Sequence, residues 1–462
     1  MPIKLIKYKK LHFTAESSIC GAYFMGKLTQ EQIEKAVSLI HDVRYGGIPA
    51  HFPSLAAWDR SPLPRESQFS DWKETLAADP DRELGIYINI PFCKKKCSFC
   101  FLDVKGGSAY DEQKNYISAL EKEMAYFSPL FNGRQISSVY IGGGTPNFLP
   151  ADLLGRLLDS LHKFYDIKPG TQISMESNPD FFTGEKLRIL SDGGVSMLLM
   201  GVQSFSPRIN GENGRAQDTT KIKDAFAMAR AAGIKYINCD LLCGLKGQTK
   251  KDFIKDVMML AALRPAQIHL NRIKPLSGTL PQDIKAELSQ WQAAGLELLR
   301  RLGYEKLDEE SACLNGMRNR QGNYFFHLDG SLLGMGAGSL SHAWGKLRYR
   351  NIVSPSEYAG NASGGSHFSE LHLKIGIKEE LLHYLMNTLL HGEDVHISRI
   401  AEKFGSEGRE IYINLAEKLE KDGFLEKTEN GWQCPLRMED WLGITAAIYG
   451  EELLARINEM NK

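Results

Sequence analysis

The chain carries 56 Lys and Arg against 56 Asp and Glu over 462 residues, so its charge gives no electrostatic reason to expect nucleic acid or an anionic membrane as a main partner. With 43% hydrophobic and 24% charged residues it is no disordered chain and no lone small fold; one large domain with smaller appendages is expected. No run approaches the ~18 apolar residues of a membrane span, and the basic N-terminus lacks the apolar core of a secretion signal, which leads us to expect a cytoplasmic protein.

Residues 1–84 hold one amphipathic helix candidate at 29–41, followed by an irregular stretch rich in Pro, Ser and aromatics at 48–70. They read as an extension or lid wrapped over a larger body. From residue 84 the strand-like runs GIYINI, SVYIGG, QISMES, VSMLLMGV, KYINCDL and QIHLNRI alternate with amphipathic helices at 111–127, 151–165, 183–191, 219–232 and 250–263. Strands alternating with helices imply right-handed crossovers and a parallel sheet. The expected fold is therefore α/β, a partial (β/α)6 barrel whose site lies at the C-terminal ends of its strands. A helix at 288–301, two apolar strand candidates and the glycine-rich GSLLGMGAGSLSH read as the closing wall of the same domain, which spans 85–360. The remaining residues, 361–462, carry helices at 369–390, 398–404 and 407–422, then strand-like FLEKT, the turn ENG and WQCPL. Helix, helix and hairpin resemble a winged helix, an α+β module. Without a basic excess on its second helix, a packing role is favoured over DNA binding.

Eight cysteines are too few for a disulfide scaffold at this length, yet Cys93, Cys97 and Cys100 crowd into CxxxCxxC directly after the first barrel strand. Three thiolates in one loop can hold three irons of a 4Fe-4S cluster and leave the fourth open to a chelating substrate. Lys94, Lys95 and Lys96 between the first two thiols favour thiolate over thiol. A structural zinc site would want a fourth ligand, but the nearest histidines in sequence are His51 and His162, and three cysteines cannot pair evenly. Cys239 and Cys243 read as buried core thiols; Cys20, Cys313 and Cys434 are isolated.

The triplet, read with YINIPFCKKKCSFC, YIGGGTPNFL, ESNPD, LLMGVQSF, GRAQD, INCDLLCGLKGQT and LLGMGAGSLS, resembles the radical S-adenosylmethionine (SAM) superfamily and, within it, the family of oxygen-independent coproporphyrinogen III oxidase and its relatives. The resemblance spans about residues 84–350. It implies a 4Fe-4S cluster on Cys93, Cys97 and Cys100, SAM bound to the open iron, and in many relatives a second SAM. It also implies an electron donor such as flavodoxin or ferredoxin and a small-molecule substrate; a monomer is the default expectation for a chain that carries its own lid and C-terminal module.

Glycines 142–144 with Thr145 and Pro146 end the second strand, where bare backbone can approach a ligand closely; a plain tight turn is the bland alternative. Glu176 closes the third strand, as an ammonium or ribose partner or as a solvated strand end. Gln203 and Arg215 are placed to grip a carboxylate, and Asp240 to accept ribose hydroxyls or to cap a helix. By resemblance, Tyr87, Phe99, Gly143, Gly144, Thr145, Glu176, Gln203, Arg215, Asp240, Ile273 and Leu340 line one or other SAM site. Arg320, His327 and His342 fall in the closing segment, as substrate-carboxylate contacts or as ordinary loop positions.

Two departures from the family pattern narrow the activity. The oxidases carry a further cysteine two positions past the third ligand and a Tyr-Thr-Ser-Tyr-Pro segment near the N-terminus. Here Leu102 occupies that position and the segment is missing. Haem-trafficking relatives carry His-Asn-x-x-Tyr-Trp where this chain reads Arg320, Gln321, Gly322, Asn323, Tyr324 and Phe325. The expected activity is accordingly that of a methyltransferase-like radical enzyme, attaching a methyl or methylene carbon to an unsaturated small molecule or tetrapyrrole, or modifying its ring. Coproporphyrinogen oxidation and haem trafficking are the alternatives.

Overall fold

The computed structural model describes residues 55–433 apart from 216, 275–279, 309, 315–329, 391–393 and 422–424. The helix expected at 29–41, together with Arg320 and His327, lies outside the described residues. Two compact units divide the chain, His41–Tyr384 and Met1–Ile40 with Leu385–Lys462.

The first unit is built on one twisted sheet. Strands β1 (Glu83–Ile90), β2 (Ser138–Gly143), β3 (Gln172–Ser177), β4 (Val195–Gln203), β5 (Tyr236–Cys243) and β6 (Gln267–Arg272) match the six expected runs and pair in parallel in that order. Between them run α2 (Tyr110–Phe127), α3 (Ala151–Phe164), α4 (Gly184–Asp192), α5 (Lys221–Ala231) and α6 (Lys250–Ala262), after an N-terminal α1 (Arg65–Ala78). Alternation sorts each strand: Ile86, Ile88 and Ile90 are buried in the main hydrophobic core with helix residues such as Ile117, Leu120, Leu154 and Leu157, which leaves Tyr87 and Asn89 facing the barrel interior. Local chemistry fixes the helix starts. Thr249 and Asp252 form a reciprocal capping box on α6, and Thr183 caps α4 through the Lys186 N–H at 3.2 Å.

Beyond β6 come α7 (Gln282–Arg301) and a short antiparallel β7 (Ser311–Cys313). On the other edge β8 (Gly330–Met335) pairs in parallel with β1 and is followed by antiparallel β9 (Leu340–Ala343), β10 (Leu347–Asn351) and β11 (Ser369–Lys374). The sheet therefore stays an open, partial barrel of parallel strands with antiparallel margins. Helices α8 (Pro355–Gly364) and α9 (Ile377–Leu390) follow β10 and β11. In the second unit α10 (Ile397–Lys421) is broken at Gly405 (φ 69°, ψ −167°), and β12 (Val395–His396), β13 (Glu426–Lys427) and β14 (Gly431–Gln433) form a small sheet in the order β12-β14-β13. Two helical segments and a hairpin thus follow the winged-helix pattern.

Three readings need correction. The stretch at 48–70 is not irregular throughout, because α1 begins at Arg65; its buried face is Arg65, Gln68, Trp72, Thr75 and Leu76, a helical repeat hidden from hydropathy because polar side chains fill most of it. The helix expected at 369–390 is a strand followed by a helix. Register with the remote β10, from Leu347↔Lys374 to Asn351↔Ser369, overrides local propensity there. The helix read at 288–301 starts six residues earlier, at Gln282.

Candidate cofactor site at the mouth of the barrel

The thiols of Cys93, Cys97 and Cys100 are free and partly buried in the loop that leaves β1. That loop is pinned by backbone bonds, Lys105 N–H to Pro91 O at 2.7 Å, Gly107 N–H to Cys93 O at 3.0 Å and Ser98 N–H to Asn213 O at 3.1 Å, and by side-chain bonds from Ser98 Oγ to Asn213 O at 2.9 Å and Lys96 Nζ to Leu102 O at 2.8 Å. At the end of β2, Gly144 N–H donates to Ile90 O and Thr145 N–H to Phe92 O, each at 2.8 Å, clamping the glycine run against the cysteine loop. A Cβ on Gly144 would stand 2.7 Å from Phe92 O and 3.0 Å from Cys93 Sγ, and Gly143 holds φ 112°, so both positions require glycine. The Thr145 hydroxyl lies 3.3 Å from Cys93 Sγ, and Arg215 Nη1 lies 4.0 Å from Cys97 Sγ. Burial raises the Cys93 and Cys100 thiols; the Thr145 hydroxyl works against this at Cys93, and the Leu102 backbone N–H and Lys96 at Cys100.

Around this loop the strand ends bring most of the expected residues together. Glu176 is half-buried rather than a solvated strand end: its Oε1 accepts from Tyr140 OH at 2.7 Å and its Oε2 from Gly143 N–H at 3.1 Å. Burial pushes its carboxyl up to about 7; the Tyr140 and Gly143 bonds oppose that, and Asp240 adds to it. Tyr87 stacks on Tyr140 with centroids 5.9 Å apart. Gln203 ends β4 in the left-handed region (φ 64°) with a buried Oε1 that has no hydrogen-bond partner among the described residues. Arg215 donates to Gly201 O and to Gln217 Oε1. Asp240 lies inside β5 and caps no helix; burial raises its carboxyl, offset by the His269 and Arg215 charges and a hydrogen bond from Asn271. Phe99 stands in the cysteine loop, and Ile273 follows β6 with its N–H on Cys243 O at 2.8 Å. Leu340 is set apart: it packs against the small cluster of Leu55, Trp58, Leu373 and Ile375. Cys239 and Cys243 are buried core thiols as expected.

Tyr140, Asn89, His269 and Asn271 escaped notice. Their alternation with core positions on β2, β1 and β6 was the available signal, since the partly exposed position beside each fully buried one faces the interior. His269 registers beside Asp240, and its Nε2 is buried without a partner among the described residues. His342, by contrast, is buried, with Nε2 2.6 Å from Glu380 Oε1.

These residues fit a cluster with a nucleotide ligand. Among the described residues no three His, Cys, Asp or Glu side chains form a group that could hold a single metal ion. The unpaired buried atoms of Gln203 and His269 mark the interior as built for a polar occupant. A cleft of about 580 Å³ lies at the opposite end, among Arg82, Arg134 and Thr171 near the strand starts, remote from this chemistry.

The Radical SAM superfamily model matches residues 87–260. The oxygen-independent coproporphyrinogen III oxidase of Escherichia coli K12 is 30% identical over 335 residues, 68% of this chain and 72% of that protein. The haem chaperone HemW of Haemophilus influenzae is 26% identical over 60% of this chain and 75% of its own. The solved structure described as coproporphyrinogen III oxidase (HemN) from Escherichia coli, a radical SAM enzyme, superposes with a TM-score of 0.70 at 22% identity, over 83% of this chain and 94% of that one. No helix among the described residues is long and apolar enough to cross a membrane.

Proposed function

Because the chain belongs to the radical SAM superfamily, in the family of oxygen-independent coproporphyrinogen III oxidase and its relatives, we propose that it transfers a SAM-derived methyl or methylene carbon to an unsaturated small molecule or tetrapyrrole, or modifies the ring of one, with two SAM molecules in the barrel. The family's cofactors are a 4Fe-4S cluster and SAM, and when bound they supply reductive cleavage of the sulfonium to a 5′-deoxyadenosyl radical. Cys93, Cys97 and Cys100 would hold three irons. Glu176, already hydrogen-bonded by Tyr140 and Gly143, is positioned to receive the methionine ammonium. On binding that cation it ionises, since a positive charge nearby lowers a carboxyl raised by burial. Gly144 lets the β2 backbone pack directly against Cys93. Arg215 and Gln203 offer donors to a carboxylate, and Asp240 accepts from ribose hydroxyls. Their shared task is placement, holding the reacting carbon close to its target.

The observation that carries the alkyl-transfer reading is Leu102, which is 40% exposed at the position where the oxidases have their further cysteine. The coproporphyrinogen oxidation of the 30%-identical relative is the second reading. Anaerobic reconstitution, reduction with dithionite and methyl-labelled SAM separate the two. Label in the product supports transfer; carbon dioxide release with unlabelled product supports oxidation. Failure of every candidate substrate to yield 5′-deoxyadenosine, or turnover surviving Cys97→Ala, removes both.

A further inference from the structure

Resting on that reading for the cluster alone, we propose that Asn213 is a positioning residue whose buried amide ties the loop after β4 to the loop after β5, so that the cysteine loop and the Arg215 guanidinium are fixed relative to each other. After β4 ends at Gln203 a short helix, Pro207–Glu212, runs up to Asn213. Its start is anchored from α6: Asp256 accepts from Ser204 OH at 2.6 Å and from Phe205 N–H at 2.9 Å, and Asn210 Nδ2 donates to Ser204 O at 2.8 Å. Its far end is held by Asn213, which is only 2% exposed. Asn213 Nδ2 donates to Ile209 O at 2.8 Å and to Lys246 O at 3.0 Å, and its Oδ1 accepts from Lys246 N–H at 3.1 Å. By both donating to and accepting from one residue's backbone, the amide reproduces the paired bonds of facing strands between two loops that share no sheet.

The backbone of the same residue meets the thiol loop. Asn213 O accepts both from Ser98 N–H at 3.1 Å and from Ser98 Oγ at 2.9 Å, and Ser98 lies between Cys97 and Cys100 in sequence. Gly214, at φ 68°, then turns the chain. Arg215 N–H reaches Asn210 O at 2.9 Å, and its Nη1 comes to 4.0 Å from Cys97 Sγ. One buried side chain therefore sets the carbonyl that seats the cysteine loop and, two residues on, the origin of a cation beside Cys97. Groups standing behind metal ligands fix their orientation and local charge in this way. The exposed Arg208, with Nη2 on Gly247 O at 3.0 Å, joins the same two loops from the solvent side. An amide that merely finishes its own helix is the bland alternative; it accounts for the bond to Ile209 O but not for the two to Lys246.

The test is Asn213→Leu in the full chain, which keeps a neutral, branched side chain and removes its three bonds. In the cluster-free protein, amide hydrogen exchange across residues 97–101 should quicken at least about tenfold, while peptides from β2 and β3 exchange as in wild type. After anaerobic reconstitution the reduction potential of the cluster should fall, because the Arg215 charge beside Cys97 no longer favours the more negative state. Asn213→Asp, which keeps an acceptor for Lys246 N–H, should exchange more slowly than Asn213→Leu; the reverse order would mean that volume and not bonding matters, and overturns the proposal. So does wild-type exchange in Asn213→Leu, an unchanged potential beside quickened exchange, or quickening spread evenly over the barrel, the mark of general destabilisation. Should Asn213→Leu not fold, Ser98→Ala, on an exposed residue, takes its place. Losing one of the two bonds onto Asn213 O, it should quicken the same exchange by roughly threefold, and no change overturns the proposal. If the wild type takes up no cluster the radical reading fails, and the exchange measurement still decides whether Asn213 fixes the loop.

Discussion

Two groups of polar residues against the same sheet are built on opposite rules, one half-buried at the barrel mouth and one buried along the antiparallel margin. At the mouth of the barrel, Glu176, Gln203, Asp240 and His269 leave hydrogen-bonding capacity unused, with Gln203 Oε1 and His269 Nε2 buried and unpaired among the described residues. Along the antiparallel margin, Glu380 on α9 accepts from His342 Nε2 at 2.6 Å, Gly345 N–H at 2.7 Å and Arg348 Nη2 at 2.6 Å. Burial alone would raise the Glu380 carboxyl, but His342 and Arg348 hold it well below the usual range. Glu123 belongs to the same margin, bound by Tyr358 OH, Gly336 N–H and Asn351 Nδ2. The difference lies in the carboxylates: Glu380 and Glu123 each accept three bonds and hold the fold, whereas Glu176 accepts two at a strand end and keeps acceptor capacity for a ligand; a lone unpaired atom is not enough, since Asn351 Oδ1 in the margin is also buried and unpaired among the described residues.

That contrast can be broken experimentally. The largest effect should come from Glu380→Ala, which strands Arg348 in the interior and should cost about 3–5 kcal/mol in urea unfolding; a loss under 1 kcal/mol would mean the margin is no better satisfied than the mouth. Next is the pH dependence of Glu123, whose carboxyl burial raises from 4.5 to about 7. The folded state then binds a proton that the unfolded state releases, so this contribution is present below pH 4.5 and lost as pH rises toward 7, roughly 3 kcal/mol in all. Glu380 acts with the opposite sign, its stabilisation present above 4.5 and lost in acid. Urea titrations at pH 5 and 7.5 should show a slope to which Glu123 and Glu176 both contribute, and Glu123→Gln should remove the Glu123 share of it.

At the mouth, the same elevation in Glu176 should appear in ligand affinity as well as in the stability of the ligand-free chain. Calorimetric SAM binding should weaken about tenfold per pH unit below 7 and become flat in Glu176→Gln; an unchanged pH profile in that variant would remove Glu176 from the ammonium site. The smallest effect is His269→Ala, which should weaken SAM binding by about threefold to tenfold through loss of one hydrogen bond while leaving urea stability within error. A stability loss without an affinity change would transfer His269 to the structural side of the comparison.

Much of the site was legible because it rests on local spacing: Cys93, Cys97 and Cys100, the glycines after β2, and Glu176 at a strand end all lie where a βα repeat turns. Less legible were residues defined by a remote neighbour. Tyr140 matters because Glu176 lies on the next strand, His269 because Asp240 registers beside it, and the pairing of His342 with Glu380 was hidden because the two lie thirty-eight positions apart in sequence.

The sequence by itself determined the repeating strands and helices, the thiol triplet and the glycine cradle, since each follows from periodicity or from chemistry within one loop. Only the tertiary structure decided that Arg65–Ala78 is helical, that Ser369–Lys374 extends the sheet, and which interior polar atoms remain unsatisfied. Burial and hydrogen-bond satisfaction are properties of what surrounds a group after the chain has closed on itself, and residues distant in sequence supply most of those surroundings.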